Sequence, residues 1–250
     1  IGVTAIAIGV FQALFLIRPA KDAFRDFMDP SVMFIFGSIV IGLAFTRSGL
    51  TKRIAYKMLG VAGENTNMIL LGALVVTAAL AHLMAHTAVA ATMFPILLAV
   101  YSLYGEGDKQ TNFGKSLFIG MAYAAGAASI VPFLGSARAP AAAGMYKEFT
   151  GADIAFFDLP LYMFVIGWGM VFLIWLYLIT FLKPEKKEIA GLKDKVGKLS
   201  AALGPITRRE KIVIACVFGV VVLIAAQSFI PALKTIDRSA LILVSTLLFF

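Results

Sequence analysis

Residues 65–105 read NTNMILLGALVVTAALAHLMAHTAVAATMFPILLAVYSLYG, 41 positions from Asn65 to Gly105 without one Lys, Arg, Asp or Glu. As a single helix this block would be roughly 60 Å long at about 1.5 Å per residue, about twice the thickness of a bilayer's hydrocarbon core. It therefore folds back on itself, either as two spans or as a re-entrant hairpin. In both cases its two ends lie on the same side.

Working outward, further charge-free blocks run over Ile1–Ile17, Ser31–Thr46, Ser116–Tyr146 (interrupted only by Arg138), Leu159–Leu182, Ile212–Leu233 and Ser239–Phe250. The 250 residues are 60% hydrophobic and 14% charged. Soluble domains have about 45–50% and about 25% respectively, so that class is excluded. Strand-like alternation is absent, and a backbone in lipid pairs its polar groups internally, so the blocks are read as helices of an all-α integral membrane protein. The organisation that follows is scaffold spans and an interfacial helix over 1–64 and a hairpin over 65–105. A broken transmembrane helix over 116–146 and a span over 159–182 come next. A basic linker over 183–211 then leads to a further set of helices from 212 to 250.

With the hairpin's parity, linkers 47–64, 106–115 and 183–211 share one side and carry 15 Lys+Arg, against 6 in linkers 18–30, 147–158 and 234–238. The basic side is assigned to the cytoplasm. The net charge of +8 is accounted for by that surface and not by nucleic-acid binding. Segment 51–62 reads as a short amphipathic helix along the interface, and 183–203 as either a second surface helix or a solvated loop. The single cysteine, Cys216, excludes a disulfide framework or a thiolate metal cluster. The first apolar block lacks the basic n-region of a signal peptide, and the last is 12 residues long where about 20 are needed to cross. The chain thus reads as a piece of a longer one. Its short loops fit a multi-pass protein of a bacterial inner membrane.

Two places interrupt the helices. One is His82-Leu83-Met84-Ala85-His86-Thr87, at the turn of the hairpin. The other is Pro132 to Pro140, where two prolines each remove a helical N–H and Gly135 permits backbone conformations other residues avoid. Discontinuous helices that meet near the midplane are a transporter feature, and the helix starts after each break offer N–H donors and a positive dipole end to a small anion. The ionisable groups inside the blocks are His82, His86 and Arg138. A guanidinium facing lipid costs from about 2.5 to more than 10 kcal/mol, so Arg138 is expected to face a cavity or a partner. It suits the two-pronged binding of an oxyanion. The two histidines lie four apart on one helix face, but no carboxylate or thiol accompanies them to complete a metal site. His82 reads as a histidine bonded to a neighbouring carbonyl. His86 reads either the same way or as a proton- or substrate-binding group.

These motifs resemble the divalent anion/sodium symporter family of dicarboxylate, citrate and sulfate transporters. The stretch Ala85-His86-Thr87-Ala88-Val89-Ala90-Ala91-Thr92-Met93-Phe94-Pro95-Ile96 is similar to the family's Ser-Asn-Thr-Ala-x-Ala-Ala-Met-x-x-Pro-Ile. The stretch from Ala122-Tyr123 to Leu134-Gly135-Ser136 is similar to its Ala-Tyr through Gly-Ser/Thr-Pro-Pro-Asn. Residues from Thr207 onward resemble the start of a second repeat. The resemblance implies an inverted-repeat transporter with a re-entrant hairpin, an anion site at the hairpin tip, an elevator-type motion, a homodimer and coupling to Na+. It places substrate-binding residues at His86, Thr87, Gly135, Ser136 and Arg138, and ion-binding residues at Ala85, His86, Thr87 and Gly135. The sequence departs from the pattern at Ala81, Ala85 and His86, where the family has hydroxyls and an amide, and at Ala137-Arg138-Ala139 in place of Pro-Pro-Asn. The first sodium site is thereby altered, with the charge of Arg138 and His86 standing in its place.

The function read from the sequence is secondary active transport of a small dianion, such as a dicarboxylate or sulfate. The alternative is a membrane subunit or scaffold that keeps the fold without transport. An intramembrane enzyme lacks a nucleophile–base pair, and a channel lacks a ring of pore-lining charges. No cofactor other than Na+ is called for.

Overall fold

In a computed structural model, the described residues are 2–105, 110–132, 134–152, 154–227, 230, 233 and 236–249. Of the features read above, Lys109 and Lys234 in the charge count, Phe133 in the break, and Ile1 and Phe250 at the chain ends lie outside the described residues.

The 41-residue block forms two helices, α5 (Thr66–Leu80) and α6 (His86–Tyr101), joined by a turn over 81–85. At 15 and 16 residues they are about 22 and 24 Å long, each short of the roughly 30 Å hydrocarbon core. The other α-helices among the described residues are α1 (Gly2–Leu14), α2 (Ala20–Phe24), α3 (Pro30–Ser48), α4 (Leu50–Ala62), α7 (Asn112–Ala128), α8 (Arg138–Thr150), α9 (Asp158–Phe181), α10 (Leu192–Ala202), α11 (Arg208–Ala226) and α12 (Arg238–Leu247). Local chemistry sets their ends. Asp29 caps α3 by accepting from the Ser31 N–H at 2.8 Å, and Pro30 occupies the first turn, where a missing N–H costs nothing. Asn65 caps α5 in the same way. Thr207 and Glu210 form a reciprocal capping box at the start of α11. Helices α3 and α9 are long and apolar enough to cross a membrane by length and composition.

Three sequence expectations are corrected. The broken helix begins at Asn112 and not at 116, because Thr111 caps it and Lys115 rides exposed in its first turns. Its break covers 129–137 and not 132–140, since Pro140 sits in the first turn of α8, where helical N–H groups have no partner to lose. The linker 183–203 is a surface helix only from Leu192. Residues before it run as a strap whose backbone pairs with the base of the hairpin.

That strap shows where the hairpin's ends lie. Thr66 donates from Oγ1 to the Lys186 carbonyl at 2.7 Å and from its N–H to the Lys187 carbonyl at 2.9 Å. The Lys186 N–H donates to Tyr104 Oη at 2.7 Å. The two ends of the block are thus fastened to one residue. Glu185 accepts from the N–H groups of Asn112 and Phe113 and from the Tyr104 hydroxyl, which brings in linker 106–115. The Ile189 N–H donates to the Glu64 carbonyl at 2.9 Å. Arg53, on α4, grips Glu210 through Nε at 2.8 Å and Nη2 at 3.1 Å, and donates to the carbonyls of Leu203, Gly204 and Pro205 past the end of α10. The three linkers grouped by charge therefore meet at one end of the molecule. At the other end, Arg238 donates to the Ile154 carbonyl at 2.8 Å, joining linkers 234–238 and 147–158.

Helices α5 and α7 each pack on both α6 and α9 and on one another, α3, α11 and α12 pack mutually with α8 against α3, and α4 touches both sets. Close approach rests on small residues. A Cβ on Gly120 would sit 2.8 Å from Leu178 and 2.9 Å from Leu74, so α7 meets α9 and α5 at that position. Helix α5 is the most enclosed, burying Ile69, Leu70, Ala73, Leu74 and Ala78 among others.

Candidate functional site

The turn of the hairpin rests directly on the break between α7 and α8. Gly135 lies so close to Ala81 that a Cβ there would penetrate the Ala81 carbonyl oxygen. The His86 N–H donates to the Gly135 carbonyl at 3.4 Å. Only glycine lets two backbones approach this way. Gly135 is expected from the sequence to take part in the break. Its contact with Ala81 had no signal beyond the run of small residues on both sides.

Each predicted site residue has a definite place. Ala85 is the cap residue of α6 and offers no side-chain bond to it. His86 and Thr87 are the first two residues of α6, with Thr87 exposed. Gly135 and Ser136 are buried in the break. Arg138 opens α8, whose cap position, Ala137, likewise gives no side-chain bond. Two helix starts thus flank the contact; with the His86 N–H taken by Gly135 and the Arg138 N–H by Ser136, and Pro140 having none, the N–H groups of Thr87 and Ala139 are the ones left for another acceptor. The Arg138 N–H and Nε–H both donate to Ser136 Oγ, each at 3.3 Å. Its side chain is exposed. The structure brings His86 to Gly135 and Arg138 to Ser136. It records no direct bond between the guanidinium and His86 or Thr87 among the described residues.

The histidines differ. His82 Nδ1 lies 2.8 Å from the Ala78 carbonyl, which makes Nδ1 the donor and leaves Nε2 as an acceptor in the neutral ring. Its ring lies 5.7 Å from that of Trp168 on α9, a neighbour no sequence pattern pointed to. His86 Nδ1, His82 Nε2 and Trp168 Nε1 are buried without a hydrogen-bond partner. Among the described residues no three His, Cys, Asp or Glu side chains converge as a metal site.

Short apolar helices, a helical hairpin and a helix broken in mid-course against its turn define a helical membrane protein with interrupted segments. The chain belongs to the sodium:sulfate symporter family, whose transmembrane-region profile matches residues 1–250. It is similar to the sodium-dependent dicarboxylate transporter SdcS of Staphylococcus saprophyticus, 27% identical over 193 residues that cover 73% of this chain and 37% of the relative. It is 31% identical over 117 residues to mouse solute carrier family 13 member 2, covering 46% of this chain and 20% of that protein. To the mouse Na(+)/citrate cotransporter it is 30% identical over 100 residues, 40% of this chain and 18% of the other. The chain spans well under half the length of these relatives.

Proposed function

We propose that this chain carries half of the substrate site of a secondary active transporter for a small dianion of the dicarboxylate or sulfate kind. The observation that carries the reading is the seating of the hairpin turn on the break at Gly135, with Arg138 three residues further on. An oxyanion placed there meets the start of α6, the start of α8 and a guanidinium with unused donors. The relatives named for sodium-dependent dicarboxylate and citrate transport support the substrate class. The re-entrant reading of α5 and α6 draws on their lengths, and an elevator-type motion and a homodimer come from the family alone. The basic end is cytoplasmic in this reading, with the protein in a cell membrane.

At the tip, Thr87 is the one hydroxyl kept from the family's Ser-Asn-Thr, beside backbone carbonyls. A sodium ion held there is under-supplied with oxygens. Arg138, with His86, supplies positive charge to the bound anion in its place, so uptake depends less on sodium at this site. Uptake of radiolabelled dicarboxylate and of sulfate by the intact protein in liposomes tests this. Arg138→Gln should lower uptake about tenfold to a hundredfold, as expected for losing hydrogen bonds to a charged group worth about 1.5–3 kcal/mol. Arg138→Lys should retain part of it, because the charge stays while the fork is lost. Removing sodium should cost less than Arg138→Gln. No uptake of either anion would favour the non-transporting scaffold. Equal losses on sodium removal and in Arg138→Gln, with a sodium ion bound at Thr87, would overturn the charge substitution.

A further inference from the structure

An open groove runs along α7 and α9, lined by Ile119, Tyr123, Leu173, Leu176, Tyr177 and Phe181. It is open along its length and offers about 740 Å³ against the apolar wall. Lys115 lies one helical turn before Ile119 and two before Tyr123, so it heads the same stripe of α7. Lys183 follows the end of α9. Ser116 Oγ donates to the Leu182 carbonyl at 3.2 Å, and Asn112 Nδ2 to the Lys183 carbonyl at 3.5 Å, which sets the two lysines at one level. Both side chains are exposed, and neither amine has a carboxylate or hydrogen-bond partner among the described residues. Glu185, two residues past Lys183, is occupied by Asn112, Phe113 and Tyr104.

We infer that this groove binds one anionic phospholipid, its phosphate between Lys115 and Lys183 and an acyl chain along Tyr123, Leu173 and Tyr177. The pattern of charge above apolar wall is that of the ligand, a charged head on a hydrocarbon tail. Basic pockets between helices at a membrane face recognise anionic headgroups in this manner. Lysine stems reach along the apolar wall while their amines stay at the headgroup level. A small soluble anion gains nothing from six apolar and aromatic side chains. A docked protein helix would bury two ammonium groups without partners, which is costly. The inference rests on insertion in a bilayer and is independent of what the protein carries.

The test uses the intact protein in nanodiscs of phosphatidylcholine containing phosphatidylglycerol, with lipid retained after detergent release counted by native mass spectrometry. Lys115→Gln with Lys183→Gln should weaken phosphatidylglycerol retention about thirtyfold, from roughly 1 kcal/mol for each basic group near an anionic surface. Ile119→Trp, which fills the groove, should displace the same lipid. Lys57→Gln, an equally exposed lysine on α4, should leave retention unchanged. A phosphatidylglycerol with a photoreactive acyl chain should label Tyr123 or Tyr177 in the unaltered protein. Unchanged retention in the double variant, equal loss in Lys57→Gln, labelling confined to other helices, or crosslinks showing a protein segment in the groove would each overturn the inference.

Discussion

Gly135 leaves no room for a methyl group. The oxygen that a Cβ would strike belongs to the main chain at Ala81, which cannot rotate aside as a side-chain end would. Gly135→Ala should therefore lift the hairpin turn from the break, at the roughly 1–3 kcal/mol typical of overpacking. A lower melting temperature together with lost anion uptake is the expected result, and a variant with both unchanged would show that the contact is dispensable. Two positions beside it offer a converse change. Ala85→Ser with His86→Asn restores the Ser-Asn-Thr tip of the resembled family and should raise the ratio of uptake with sodium to uptake without it. A ratio identical to that of the parent would remove the altered tip as the cause of reduced coupling. Arg138 was legible in the sequence because a charge within an apolar block is conspicuous. The approach of Ala81 to Gly135 and the placing of Trp168 beside His82 were not, since each acts through position alone.

Among the elements, the strap before α10 and the start of α11 are held by two carboxylates of different exposure. Partial desolvation of its carboxyl raises the exposed Glu185, but the N–H groups of Asn112 and Phe113 and the Tyr104 hydroxyl outweigh it and hold it below the ordinary value. Arg53 first, then Thr207, hold Glu210 lower against its burial. A depressed carboxylate contributes stability that is complete above the unfolded value of about 4.5 and is lost as pH falls through the lower folded value. Corrected for the pH dependence of the intrinsic exchange rate, amide opening across 183–191 should thus stay flat from pH 7 to about 5 and rise only below about 4.5. A rise already near pH 6 would point to another group. Tyr104, pushed up to about 12 chiefly by burial, remains a donor throughout. Glu210 is 2% exposed, and breaking a buried pair costs about 3–5 kcal/mol, whereas Glu185 is exposed. Denaturant melts should rank Glu210→Gln as clearly less stable than Glu185→Gln; the reverse order would make the strap the stronger tie. The capture of Glu210 by Arg53 across more than a hundred residues left no trace in the sequence pattern.

For the molecule as a whole, the distribution of charge along the chain groups linkers 47–64, 106–115 and 183–211, and their described residues meet at one end. It groups them because positive charge marks one membrane face, a property that survives ignorance of every packing detail. Helix boundaries were less legible, since Lys115 and the basic start of α11 are tolerated within helical turns at an interface. The sidedness is testable. With Cys216 replaced by Ser, a cysteine placed at Glu148 should react with an impermeant maleimide on intact cells, and one at Lys187 only after permeabilisation. Both reacting from the same side would invalidate the parity. On the strap's side, the bonds from Lys186, Lys187 and Ile189 to Thr66, Tyr104 and Glu64 are made by peptide groups. That part of the fastening is indifferent to side-chain identity, unlike the ties made by the Glu185 carboxylate and by Lys186 Nζ, which donates to the Tyr104 carbonyl at 2.8 Å. Exposed positions such as Lys187 and Glu188 are therefore free to drift in charge over generations, while the mouth of the hairpin stays buttoned as before.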